Sequence, residues 1–197
     1  MKGRRRGAAL ENAILDAAWA ELVEHGYAGM TLETVATRAG TSRPVLHRRW
    51  PSRAELATAA LARYLALNPI DVPDLGSVRA ELSLFLRGMA DRARPDLVRL
   101  VFDMSGDLAD MKSSLADVRA EFANDRLIRA ILDRAIARGE VDPDRLTPRI
   151  VALPTDLTRH ELLMTFVPPS DEVIRQIVDD IFLPLVRRDP LPRRSER

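Results

Sequence analysis

The stretch Thr31–Arg53, TLETVATRAGTSRPVLHRRWPSR, decides the fold. Thr31 predicts a helix N-cap, its hydroxyl accepting from a first-turn amide that has no intrahelical acceptor. Leu32, Val35, Ala36 and Ala39 recur at helical spacing and mark one apolar face. Gly40 ends that helix, because a left-handed residue costs least where there is no Cβ. Ser42 predicts a second cap. Pro44 is tolerated in the turn that follows, where its missing amide would lack an acceptor in any case. Val45 and Leu46 give the second helix an apolar anchor, while Arg43, His47, Arg48 and Arg49 leave it basic. A small Ala36, a turn at Gly40 and an anchored Leu46 meet the needs of a helix-turn-helix: close approach, a sharp turn and a fixed second helix.

The flanks extend this unit. Ala8 to His25 reads as a first helix with Leu10, Ile14, Ala17, Ala18 and Leu22 on its apolar side, closed by Gly26. Tyr27 is expected as a core plug beneath the three helices. Ser52 and Glu55 have the spacing of a capping box and start another helix, carrying Leu56, Ala59, Ala60 and Tyr64 to about Asn68-Pro69. Trp50 is expected to wedge between this helix and the first. The arm Met1–Gly7, MKGRRRG, has no packing signal; Arg4, Arg5 and Arg6 either follow a phosphate backbone or form a solvated tail.

Charge and composition narrow the function class. Net charge is only +1, but residues 1–53 carry +4 and the remainder −3, so the positive excess lies with the helix-turn-helix. The chain has 46% hydrophobic and 30% charged residues, which predicts a folded globular protein rather than a disordered one. The absence of cysteine excludes disulfides, thiol redox sensing and zinc–thiolate sites. No apolar run approaches a membrane span and no apolar signal core follows the basic start, so the expected location is cytoplasmic. His25, His47 and His160 are far apart, and there is no nucleophile elbow, Walker loop or dinucleotide fingerprint. These absences argue against an enzyme and imply no cofactor or metal.

Gly26-Tyr27 followed by MTLETVATRAGTSRPVLHRRWPSRAEL resembles the DNA-binding domain of the TetR family of one-component transcriptional regulators, the tetracycline-repressor-like proteins. Thr31, Val35, Ala36, Ala39, Gly40, Ser42, Leu46, Ser52 and Leu56 match that pattern in register, over about residues 8–60. The departures are Thr41 for the usual Val, Pro44 where Gly is frequent, His47 for the usual Tyr, Trp50 as the closing aromatic, and Arg53 for the usual Lys. His47 puts the Tyr-to-phosphate contact of the family in doubt, since imidazole is shorter and its donors depend on protonation. The resemblance implies that Thr31 presents a helix N-terminus to a phosphate through its amide and hydroxyl. Arg43, Pro44 and Val45, with Thr41 and Ser42 beside them, would face base edges. His47, Arg48, Arg49 and Arg53 would hold phosphates.

Beyond Arg53 the chain is helical and resembles the regulatory domain of that family, so the expected fold is all-α, with about nine helices. A three-helix DNA-binding domain is expected over 1–53 and a ligand-binding and dimerisation domain over 54–197. Helices are predicted over Ser77–Arg94, from Pro95 to a break at Ser105-Gly106-Asp107, and over Ser113–Arg138, ended by Gly139. Two more are predicted over Asp144–Phe166, kinked at Pro154, and over Ser170–Arg188. Candidate pocket residues are Phe85, Met89, Phe102, Met104, Phe122, Pro154, Arg159, His160 and Met164. Leu162, Phe166, Ile174, Ile177, Val178, Ile181, Phe182 and Leu185 form an apolar set that the resemblance places at a two-fold interface; burial within one chain explains such a stripe equally well.

The function expected from this reading is a homodimeric regulator of double-stranded DNA. Its mode would be that of a repressor released from a palindromic operator by a small apolar effector. An activator or a ligand-independent regulator would show the same DNA-binding domain.

Overall fold

In the computed structural model, residues 7–92, 99, 100, 102–110 and 125–187 are described. Among them the protein is all-helical, with no strand; an isolated antiparallel bridge joins Val141 and Arg187. The helices are α1 (Ala8–Gly29), α2 (Leu32–Ala39), α3 (Arg43–His47), α4 (Arg53–Leu67), α5 (Val78–Arg92), α6 (Ser105–Asp110), α7 (Asp125–Ala137) and α8 (Pro148–Thr165). They are followed by α9 (Asp171–Arg175), a π-helical stretch (Gln176–Phe182) and α10 (Leu183–Val186). The chain forms two compact units: Met1–Pro69 with Asp96–Ala123, and Ile70–Pro95 with Asn124–Arg197.

The first unit closes around small residues. Ala18 of α1 and Ala54 and Ala57 of α4 are fully buried, which lets two helix backbones approach closely. Ile14, Leu22, Val35, Ala36, Leu46, Trp50 and Leu56 complete the core with Leu100 and Met104. Burying a side chain the size of Leu56 stabilises by about 1.5–3 kcal/mol. The expected division at 53/54 falls at the start of α4. The apolar side of α4 is needed to cover α1, so the unit runs on to Pro69.

Gly26 interrupts α1 with φ 67° and ψ −179°, and Tyr27–Gly29 re-enter helical geometry after it. The predicted stop at Gly26 is therefore a sharp kink that turns Tyr27 and Met30 into the core. The predicted break at Ser105-Gly106-Asp107 also moves. Met104 is the non-helical residue, and Ser105 begins α6, its hydroxyl donating to the Phe102 carbonyl at 2.6 Å.

In the second unit, Leu82, Phe85 and Leu86 of α5 pack with Ile131, Leu132 and Ala135 of α7 and with the last helix. A buried carboxylate, Glu81, joins α5 to α7: it pairs with Arg134 at 2.6 Å and Arg138 at 3.0 Å. Nothing in the helical periodicity announces that pair. The predicted helix over Asp144–Phe166 starts later, at Pro148, with Thr147 as its cap. A separate 3-10 turn, Pro143–Arg145, precedes it. The π-helical stretch ends directly before Leu183-Pro184. Pro184 has no N–H to donate four residues back and its ring crowds that carbonyl, so a wider turn upstream is the physical accommodation. Of the predicted helix over Ser113–Arg138, residues 113–124 lie outside the described residues.

Gly26 and Gly40 have positive φ for different reasons. Gly40, at φ 68° and ψ 40°, occupies the left-handed well that Asn also visits. Gly26 occupies a region open essentially to glycine alone. In urea unfolding, Gly40→Asn is expected to cost under about 1 kcal/mol and Gly26→Asn about 1–3 kcal/mol. Equal losses would contradict this assignment.

Candidate nucleic-acid interface

The interface is built on α2 and α3, and the start of α2 is doubly capped. The Thr31 hydroxyl accepts from the Thr34 amide at 3.1 Å, and the Thr31 amide donates to the Thr34 hydroxyl at 3.1 Å. The reciprocal partner is Thr34, where a capping box usually has Glu or Gln, so the sequence motif did not reveal it. The amide and hydroxyl of Thr31, expected to meet a phosphate, are both engaged by Thr34. The first-turn amides of Leu32 and Glu33, which have no acceptor within the helix, are the ones left to meet an anion.

The turn closes by a Schellman arrangement. The Thr41 amide donates to the Ala36 carbonyl at 3.0 Å and the Gly40 amide to Thr37 at 3.2 Å. Thr41 is half-buried, so its amide serves the turn. Ser42 stands at the N-cap position of α3, but its side chain makes no capping bond; its carbonyl instead accepts from Val45 at 2.9 Å. Leu46 is fully buried and Val45 is half-buried against the same core. Only part of Val45 therefore faces outward.

The basic side chains divide into two groups. Arg43, His47 and Arg48 are exposed, with Pro44 beside them, and make no side-chain bond to the described residues. Arg49 is ion-paired with Glu11 of α1. Arg53 is held more fully: its Nε and Nη2 donate to Asp107 Oδ2 at 3.1 and 2.9 Å, and its Nη1 to the Tyr27 carbonyl at 3.4 Å. The guanidinium carbon lies 4.1 Å from the centre of the Tyr27 ring, and the Tyr27 hydroxyl donates to the same Asp107 oxygen at 2.5 Å. Tyr27 is thus buried as expected, yet also part of a polar cluster. Arg4, Arg5 and Arg6 lie outside the described residues.

The titration of this cluster follows from its contacts. Burial first, then donation to Asp107, pushes the Tyr27 phenol well above its usual range. The Tyr27 hydroxyl first, then Arg53, holds the Asp107 carboxyl below the ordinary aspartate range. For Arg53, burial opposes the charge, but the bonds with Asp107 and Tyr27 outweigh it and raise its value. A second cluster fixes α2 on α1: Arg38 donates to Glu21 at 2.6 Å and to Glu24 at 2.8 Å. The Arg38 bond draws the Glu24 carboxyl down. Neither cluster was read from sequence; the spacing of Glu21, Glu24 and His25 on one side of α1 was the available signal for the second.

The nine pocket candidates are distributed over both units. Met104 is buried in the first unit's core and Phe102 is exposed. Phe85 is buried in the second unit's core, where Met89 packs half-buried against it; Pro154 is buried within α8. Met164 is 68% exposed, His160 is exposed, and Arg159 pairs with Asp156 at 2.7 Å. Phe122 lies outside the described residues. The interface candidates also divide. Leu162, Ile174, Ile177, Val178 and Phe182 are buried within their own chain. Ile181 and Leu185 remain 39% and 43% exposed, and Phe166 is half-buried at the left-handed end of α8.

Comparison with known proteins agrees with this geometry. Residues 14–60 match the model of bacterial regulatory proteins of the tetR family, and residues 72–181 match the tetracyclin repressor-like C-terminal domain. The chain is 32% identical over 193 residues to the DNA-binding transcriptional repressor TetR of Mycobacteroides abscessus, covering 92% of this chain and 96% of that relative. It is 30% identical over 173 residues to an HTH-type transcriptional regulator of Mycobacterium tuberculosis, covering 85% of this chain and 83% of that one. The crystal structure of the TetR family transcription regulator SCO0332 aligns with a TM-score of 0.70 at 26% identity, over 88% of this chain and 96% of that chain. The chain belongs to the TetR family of transcriptional regulators, and its helix-turn-helix makes it a DNA-binding regulator. No helix among the described residues is long and apolar enough to cross a membrane.

The Asp107 cluster has a defined pH signature. Its folded-state value lies below the unfolded one, so its contribution is complete above the ordinary aspartate range, near pH ~4, and is lost as pH falls through the depressed value. Asp107→Asn should be less stable than wild type by a constant amount near neutrality, with the gap closing in acid. Urea unfolding across pH checks this; a gap that persists in acid would remove the carboxylate as its origin.

Proposed function

We propose that this protein is a homodimeric repressor that reads a palindromic operator with one α3 from each protomer. The observation carrying this reading is the exposed set Arg43, His47 and Arg48 on a helix anchored by the fully buried Leu46. A guanidinium fork suits guanine O6 and N7, which assigns Arg43 to base reading. Arg48, Arg49 and Arg53 are assigned to phosphates, as are the unsatisfied amides at the start of α2. A five-residue α3 spans too few base pairs for useful selectivity, which favours two copies on a symmetric site. Exposed Ile181 and Leu185 supply apolar surface for such a pairing. The repressor sign follows the Mycobacteroides abscessus relative, whose name describes a repressor.

The first unit would then bind DNA, and the second would carry dimerisation and effector binding. A small apolar effector is expected to settle among second-unit residues such as Phe85, Met89 and Pro154. It releases DNA only insofar as it binds the DNA-incompetent state more tightly.

Selection of bound duplexes from a random pool tests this function. A two-fold symmetric consensus is expected; an asymmetric or absent consensus would refute the palindrome. Arg43→Ala should weaken specific binding by about 1–3 kcal/mol and relax preference at one position per half-site. An unchanged preference profile would exclude Arg43 as a base reader. The double variant Ile181→Asp/Leu185→Asp should sediment as a monomer and lose cooperative occupation of the two half-sites; a retained dimer would remove these residues from the interface. Effectors are sought by thermal shift: a compound that raises Tm and weakens DNA binding supports the released-repressor mode. Compounds that raise Tm yet strengthen DNA binding favour an activator or corepressed mode.

A further inference from the structure

Arg53 differs from the other basic residues of the helix-turn-helix region in how completely it is engaged. Each of its three guanidinium nitrogens has an acceptor within the first unit. Its Nε–Nη2 edge, the edge that forms a fork with an oxyanion, is spent on Asp107 Oδ2. Its Nη1 points to the Tyr27 carbonyl and one face covers the Tyr27 ring. Asp107 lies 54 residues further along the chain, on α6, and its Oδ2 also accepts the Tyr27 hydroxyl. A carboxylate oxygen therefore occupies the position on Arg53 that a phosphate oxygen would take. The pair is not sealed from water: Arg53 and Asp107 are 33% and 39% exposed. An ion pair at that exposure is weak, so a dense row of phosphates can displace the carboxylate.

We propose that Asp107 is an internal competitor of DNA phosphate for Arg53, withholding one cation from DNA for as long as the Arg53–Asp107 pair is closed. This rests on the reading of Arg53 as a phosphate contact. Asp107 is then a positioning residue that acts through Arg53. Closure removes one phosphate partner from the DNA-binding unit and leaves a carboxylate beside α4. Opening restores the partner. Any event that shifts α6 away from the start of α4 thereby raises the affinity of the unit for DNA, with no change at α3. Arg49 and Glu11 form a looser counterpart: among the described residues that guanidinium has neither an aromatic face nor a third acceptor.

The test uses the full-length protein, a short duplex of arbitrary sequence and a salt series, with wild type, Asp107→Asn, Arg53→Ala and the double variant. Asn is close in shape to Asp and still accepts the Tyr27 hydroxyl, so it removes mainly the charge. Asp107→Asn is expected to bind about two- to fivefold tighter. Its plot of log affinity against log salt should be steeper by about 0.9, the contribution of one further phosphate. The gain should vanish when Arg53 is Ala, which separates it from the general effect of removing an anion. If Arg53→Ala weakens binding but Asp107→Asn does not tighten it, the competition is refuted and the phosphate role of Arg53 stands. If Arg53→Ala changes binding in neither background, the phosphate role falls and the competition falls with it. A readout on wild type avoids any folding defect: the carboxyl carbon resonance of Asp107 should shift when duplex is added, and a resonance that does not move overturns the proposal.

Discussion

The burial of Leu46 is the constraint on which the proposed DNA-binding surface depends. A helix of five residues has no independent stability, because nucleating a single turn costs more than its few hydrogen bonds return. Tertiary packing must hold it. Leu46 does so by sitting fully buried among residues of α1, α2 and α4, with Val45 packed beside it at half depth. That one insertion turns Arg43, His47 and Arg48 outward as a set. The Schellman turn at Gly40 sets the angle at which α3 leaves α2, and the Thr31–Thr34 box sets where α2 begins.

Charge on this surface is shaped by its carboxylates as much as by its arginines. The number of basic side chains over residues 1–53 overstates how many stand open among the described residues. Arg38 is bound by Glu21 and Glu24, Arg49 by Glu11 and Arg53 by Asp107. Arg43 and Arg48 remain as open cations on α3 and its end. Pairing has a structural use in each case. The Arg38 cluster fixes α2 on α1, and the Arg53 cluster joins the kink after Gly26, the start of α4 and α6. The same bonds that position the elements thus decide which cations are at hand.

The second unit shows how an apolar stripe under-determines its partner. The last helix buries Ile174, Ile177, Val178 and Phe182 within its own chain, against α5 and α7. Ile181 and Leu185 stay at the surface of the same helix. Pro184 perturbs the helix at that point, and the preceding π-helical turn changes which residues share a face. A strict helical period carried across that stretch assigns faces that the backbone does not keep.

What the sequence by itself determined was local. The apolar spacing of Leu32, Val35, Ala36 and Ala39, the left-handed Gly40, the Ser52 cap and Gly139 are written in residues within one or two turns of each other. They could therefore be read without knowing the fold. Tertiary structure decided whatever depends on partners distant in the chain. Asp107 meets Arg53 across 54 positions, Arg134 meets Glu81 across 53, and α4 joins the first core although it begins where the boundary was expected. The physical reason is that periodicity specifies that a face is buried or a charge is present. What covers the face, and which opposite charge comes within hydrogen-bonding distance, is set only when separate helices pack.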